Sequence, residues 1–190
     1  MALLLEFNGK RPRVADGVFL APTAVLIGDV VVEEGTSIWF GAVLRGDFGS
    51  IVVGPGCSIQ DNAVIHSMAE VPTLVGARVT VGHCAVLEGC RIDEGTIVGM
   101  NAVVLPRATV GREAVIAAGS VVAEGAHIPD RVLAAGAPAR VKKALSGRSL
   151  DWVRRAPAEY REIARAYRHQ GIGNGQGERH EQAHDTEGGR

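Results

Sequence analysis

The chain has 190 residues, 20 basic and 21 acidic side chains for a net charge of −1, 46% hydrophobic residues and only 4% aromatics. That length allows one domain with a short appendage. The near-neutral charge excludes electrostatically driven nucleic-acid binding as the main role. An aliphatic core with 25 glycines argues against a helical bundle and for many turns joining thin strands.

The N-terminal apolar run Ala2–Leu5 is too short for a signal peptide or a membrane span. The three cysteines, Cys57, Cys84 and Cys90, form no CxxC motif, and they read as reduced thiols of a cytoplasmic protein.

From Ile27 onward large aliphatic residues recur at a fixed interval. Marks at Ile27, Val32, Ile38, Leu44, Val53, Ile59, Ile65, Val75, Val81, Val86, Ile92 and on to Ile128 give sixteen spacings, of which twelve are six residues. The fourth residue after a mark is small or β-branched almost throughout, as at Ala42, Ala63, Ala85 and Ala102. A period of six suits a triangular solenoid: each hexad makes one face, three make a coil, and the small residue fits the corner. Faces are designated A, B and C, with Leu44, Ile65 and Val86 starting face A and Ile59 and Val81 starting face C.

Besides the five-residue step Ile27–Val32, the period breaks at three places. Spacing is nine between Leu44 and Val53, around Arg45-Gly46-Asp47; ten between Ile65 and Val75, after His66; and five between Val81 and Val86, around His83. Breaks in a regular rule mark either tolerated surface loops or a functional site. On the face count, Arg45, His66 and Glu88 fall together on face A in three successive coils, and Gln60, Asp61 and His83 cluster on face C. A metal shared by His66 and His83 then needs two subunits, as in a cyclic trimer.

Past Ile128 the repeat stops, and Pro129–Pro138 reads as loop. Tyr160, Ile163, Ala164 and Tyr167 make a helical stripe, extended by Trp152 and Val153, with Pro157 expected to kink or restart the helix. The predicted organisation is a β-helix domain over 1–138, with hexads at about 18–133, a helical segment over 139–170 that packs back on the solenoid, and a disordered tail over 171–190.

The ordered motifs Ile38-Trp39, Val43-Leu44-Arg45-Gly46-Asp47, Ile59-Gln60-Asp61-Asn62, Val64-Ile65-His66, Val81-Gly82-His83, Gly89-Cys90, Val98-Gly99-Met100 and Gly136-Ala137-Pro138-Ala139 resemble the gamma-class carbonic anhydrase family of hexapeptide-repeat proteins. The likeness covers roughly residues 10–145. It implies an all-β solenoid, a left-handed parallel β-helix with a C-terminal α-helix. It also implies a homotrimer holding zinc, or another divalent metal, at its interfaces. The reaction implied is reversible hydration of carbon dioxide to bicarbonate, with a metal-activated water as nucleophile.

Residue by residue, His66 and His83 match two of the family's three metal-binding histidines. Glu88 stands where the third is expected. Glu88 either ligates, lowering the site's positive charge and slowing hydration, or the metal is lost and Glu88 pairs with Arg45 or a neighbour's charge. Arg45 and Asp47 resemble a salt-bridge pair across the trimer interface, Gln60 a hydrogen-bonding partner of the activated water or bicarbonate, and Asp61 a residue that orients a ligand histidine. Tyr160 resembles a tyrosine that approaches the site in some relatives; core packing is its alternative role. The acidic proton-shuttle loop of active members has no counterpart, and Phe48 follows Asp47 where an acid is expected. Two other readings stay open: transfer or hydrolysis of a coenzyme A thioester, with His66 or His83 as general base, and a catalytically silent trimeric scaffold.

Overall fold

The structure, a computed structural model, describes residues 1–173. The predicted tail lies outside the described residues from residue 174 on. The rest of the chain is a parallel β-solenoid of seven coils followed by one helix, α1 (Arg148–His169). Each coil contributes a short strand to each face. Faces A and B share a 12-stranded sheet because the strands Val25–Val32 and Val43–Val53 bend continuously round their common edge, while face C is a separate 8-stranded sheet.

The interior is a stack of fully buried aliphatics: Leu26, Leu44, Ile65 and Leu87 under face A, Ile59 and Val81 under face C. Ala42, Ala63, Ala85 and Ala102 at the corners are wholly buried, because the chain turns there with no room for more than a methyl group.

Two of the sequence marks are displaced. Ile27 and Val86 point outward and are partly exposed, and the interior positions are Leu26 and Leu87. The spacing from Val81 to Leu87 is therefore a regular six, and the shortening to five lies between Leu87 and Ile92, not around His83. All three irregular spacings consequently fall on one line, the A/B edge, in three successive coils. The loops there interlock. Gly49 donates to Ser67 Oγ at 3.1 Å, and buried Thr73 Oγ1 accepts Gly89 N–H at 2.8 Å while donating to the His66 carbonyl.

The stretch after Ile128 is not a plain loop. The strand Val132–Gly136 continues face C, and Ala139–Ala144 pairs antiparallel with it, closing the sheet. The five residues after Ala139 in this edge strand are exposed, and Arg140, Lys142 and Lys143 among them blunt edge-to-edge association. Helix α1 thus starts at Arg148, well past 139, and runs without a restart through Pro157, which is buried on the side facing the solenoid. Packing of that side outweighs the backbone bond Pro157 lacks. The helix lies on face C. At one end Phe19, Trp39 and Ala164 pack with Tyr160 and Tyr167; at the other Ile97, Leu145, Val153 and Ala156 pack with Leu133. Among the described residues no helix is long and apolar enough to cross a membrane.

Candidate functional site

The register brings the predicted residues together in two groups. On face A, Arg45 pairs with His66 and His66 with Glu88 across three adjacent strands, so the three side chains stand in one outward column. Asp47 lies two residues beyond Arg45 at the A/B edge. His66 Nε2 meets Asp47 Oδ1 at 2.9 Å, His66 Nδ1 meets Glu88 Oε1 at 3.0 Å, and Arg45 forms an ion pair with the other Asp47 oxygen. The Arg45–Asp47 pair therefore closes within one chain, and Glu88 turns to His66 and not to Arg45. Burial pushes the Asp47 carboxyl upward, but the hydrogen bonds from His66 and Arg45 outweigh it and hold the group below the usual carboxylate range. Phe48, 68% exposed, sets its ring edge-on to His66 at 5.8 Å between centroids.

The second group occupies the C/A edge, with face A between it and the first. His83 follows Gly82, where an added Cβ would stand 2.7 Å from Met100 N, so only glycine lets the next coil approach this closely. His83 Nδ1 meets Asp61 Oδ2 at 2.8 Å. The His83 backbone N–H donates to Gln60 Oε1 at 3.1 Å, which fixes the buried amide. Tyr160 of α1 packs edge-on to Trp39 at 5.9 Å. Its phenol is pushed up by burial and by the charges of Asp61 and Glu159.

Within one chain these groups do not merge, and among the described residues no group of three or more His, Cys, Asp or Glu side chains is arranged to hold a metal ion. Cys57 and Cys90 are buried, their thiols pushed up to about 12 by desolvation, so they are inert packing residues. Cys84 is exposed and free.

The donor chemistry fits a divalent metal. His83 has one ring nitrogen held by Asp61, the arrangement that orients an imidazole as a ligand, and His66 is held by Asp47 at one nitrogen and meets Glu88 at the other. In the tautomer with its single proton on Nε2, His66 donates to Asp47 and turns a lone pair toward Glu88, and a cation between the two relieves that repulsion. Their 3.0 Å separation is near the spacing of two donors on one tetrahedral zinc ion, about 3.3 Å.

Sequence reasoning missed the outward column beside this site. Leu3, Val25, Val43, Val64, Val86, Val103 and Val121 pair strand to strand down the whole of face A. All are at least partly exposed, Val64 at 38%, and no element among the described residues covers them. The signal was present as the aliphatic residue just before each interior position. Ser67 and Thr73, which lock the loops, carry no signal in the repeat.

The family model described as bacterial transferase hexapeptide (six repeats) matches residues 89–124. The chain is 37% identical over 170 residues to the mitochondrial gamma carbonic anhydrase 1 of Arabidopsis thaliana, covering 86% of this chain and 62% of the relative. It is 38% identical over 157 residues to the carnitine operon protein CaiE of Escherichia coli O157:H7, covering 83% and 80%. The matches to the three Arabidopsis gamma carbonic anhydrases span 36%, 33% and 62% of their lengths. Among solved structures, a hexapeptide transferase family protein from Anaplasma phagocytophilum superposes with a TM-score of 0.84 at 34% identity, covering 87% of this chain and 98% of that one.

Proposed function

The chain belongs to the gamma-carbonic-anhydrase-like family of hexapeptide-repeat proteins, and from that membership we propose a metal-dependent, carbonic anhydrase-like enzyme that interconverts carbon dioxide and bicarbonate. It works as a cytoplasmic homotrimer with its sites between subunits. The observation that carries the reading is the pair of carboxylate-held imidazoles, His66 with Asp47 and His83 with Asp61, on opposite edges of a bare, valine-lined face. An exposed apolar column of that length is a surface for another chain, and a copy laid on face A brings its His83 edge to His66.

His66 and Glu88 of one subunit, with His83 of the partner subunit, would hold the ion, zinc or another divalent metal. When bound, the metal supplies a water acidic enough to attack carbon dioxide at neutral pH. The chain's own residues do the rest. Asp47 and Asp61 keep the outer ring nitrogens protonated and the rings aimed. Arg45 neutralises the carboxylate that would otherwise add a second negative charge beside Glu88. Gln60, fixed through Oε1, keeps its Nε2 hydrogens for an oxygen of bicarbonate or water. Tyr160 backs the Asp61 side, and Phe48 shields the His66 edge from solvent. Glu88 makes the donor set more negative than three histidines, so the activated water is less acidic and hydration slower than in a three-histidine site.

Elemental analysis of protein purified without chelator or added metal tests the site, together with Glu88→His. The substitution should tighten zinc binding and raise carbon dioxide hydration near neutral pH about tenfold, the worth of one unit in the water's acidity. His66→Ala should abolish both gains. Unchanged zinc content and rate in Glu88→His would show that the three positions do not converge. The transferase names of the family model and of the Anaplasma structure favour a second reading, acyl transfer from, or hydrolysis of, a coenzyme A thioester. A screen of acyl-coenzyme A substrates separates it from hydration, and failure of both assays leaves the silent scaffold.

A further inference from the structure

The edge of the solenoid opposite face A carries a second constellation, unconnected with the histidines. Where α1 lies along the B/C edge, two cavities of about 380 and 460 Å³ open between helix and coils, with Arg78 as a lining residue of both; we term the pair the trough. Its floor is shallow in side chains because Gly35, Gly56 and Gly95 occupy left-handed corner positions that leave no Cβ to fill it. Its walls are guanidinium groups: Arg78, Arg112 and Arg131 from the coils, and Arg154, Arg161 and Arg168 from the helix. With Arg165 included, arginines outnumber carboxylates in the lining seven to four, on a chain whose overall charge is −1.

The carboxylates leave part of this positive charge unspent. Glu94 is taken by Arg78, and Glu113 by both Arg131 at 2.9 Å and Arg154 at 2.6 Å. Those pairs hold three of the arginines against the wall. Arg112 and Arg161 have no carboxylate partner among the described residues, although Asp16 and Glu34 line the far end of the trough. Arg168 donates one N–H to the Gly17 carbonyl at 2.5 Å, and its Nε is buried with no acceptor. A buried N–H without an acceptor is costly, and an oxyanion is the acceptor that guanidinium groups match best.

We propose that this trough binds a small molecule carrying two or more phosphate groups. Arg78 and Arg131 stand three coils apart, about 14 Å at the spacing of stacked strands, which suits an extended ligand better than a single anion. The volumes lie within the range of small-molecule sites, and a cleft walled by its own helix excludes a nucleic-acid duplex. Because the B/C edge lies opposite face A, the site stays open when face A is covered by other subunits.

Calorimetric titration of the full chain with inorganic tripolyphosphate, in low salt and without divalent metal, tests the proposal. One saturable site per chain is expected. Arg112→Ala combined with Arg161→Ala should weaken binding about 100-fold without moving the melting temperature of the unliganded protein, because neither side chain holds an internal ion pair. A parallel titration with adenosine triphosphate identifies the source. Equal affinity assigns the site to the phosphate chain alone, tighter binding to a nucleotide, and either supports the proposal. No saturable binding up to millimolar ligand, equal binding of sulfate at matched ionic strength, or undiminished binding by the double variant would overturn it.

Discussion

Faces A and C of the same prism solve one problem in two ways. The outward column of face C runs Phe19, Ser37, Ser58, Thr80, Ile97, Val115, Leu133; its apolar ends sit under α1 and its polar middle is buried with them. The outward column of face A is aliphatic from Leu3 to Val121, and no element among the described residues covers it. Face C carries aromatic anchors and small polar residues shaped to one helix, with Trp39 Nε1 donating to Ser37 Oγ and Ser58 Oγ at 3.0 and 3.1 Å. Face A carries the same short aliphatic side chain in coil after coil, a flat surface suited to a repeat of itself. The first is completed within the chain; the second has no cover among the described residues, and in the proposed trimer another copy supplies it, with the Arg45–His66–Glu88 column beside it.

The sharpest way to break this comparison is a charge in the middle of the bare ladder. If the proposed trimer forms through face A, Val64→Asp should convert it to monomers of one third the mass by light scattering, with the far-ultraviolet circular dichroism of the solenoid retained. A carboxylate buried without a partner costs several kcal/mol, enough to dissolve a contact built of valines. The same charge on a surface that stays in solvent would change nothing, so an unaltered mass would remove face A as the interface.

The covered face is tested by its anchor. Trp39 is 4% exposed and touches Phe19, Tyr160 and Tyr167. Trp39→Ala should lower stability by about 3–5 kcal/mol, as for a buried aromatic deletion. It should also expose α1 to limited proteolysis before the coils are cut. Equal loss of helix and coils in one step would mean that α1 and the solenoid do not separate energetically.

Between the faces lies the A/B edge, where loops meet. Thr73→Val removes the hydroxyl that accepts Gly89 N–H and donates to the His66 carbonyl. The expected cost is about 1–2 kcal/mol in urea unfolding, with zinc affinity falling more than stability because His66 loses its backbone anchor. Stability falling with zinc affinity unchanged would separate the loop from the site.

How much of this was legible in the sequence differs from edge to edge. The six-residue period was enough for the solenoid, and face counting put Arg45, His66 and Glu88 in one column, because backbone register in a stacked coil is set by spacing alone. It misplaced the shortened hexad because Val86 and Leu87 are equally good interior residues by hydropathy, and only the stacking of neighbours decides which faces inward. The strand Ala139–Ala144 was hidden for a related reason: its partner lies across a Pro-Gly-rich turn, and Arg and Lys fill its exposed side. The ladder on face A was present as Val25, Val43, Val64 and Val86, but a search for interior positions passes over the first three and takes Val86 for an interior residue.

The smallest expected effect concerns how face C's helix is pinned at its far edge, and it sets Glu113 against Asp47. Both carboxyls are held below their ordinary range. Glu113 is lowered first by its hydrogen bond with Arg154, and by Arg131, against the opposing push of burial. Asp47 is lowered by His66 and Arg45 against the same push. A carboxyl depressed in the folded state stabilises it above the unfolded pKa, and the contribution fades as pH falls through the folded value. Glu113→Gln keeps the shape and removes the charge, so it should cost about 1 kcal/mol at pH 7, the scale of two partly exposed ion pairs. The gap to wild type should shrink below about pH 4, where an ordinary glutamate protonates. Salt should narrow it as well, since the arginines are more than half exposed. If α1 is pinned at that edge through Glu113, the variant's helix should also be cleaved faster by protease, while Asp47→Asn, whose partners lie at the A/B edge, should leave helix cleavage unchanged. Equal helix cleavage in the two variants would mean that the ion pairs at the B/C edge do not hold α1 and that its apolar ends do so alone.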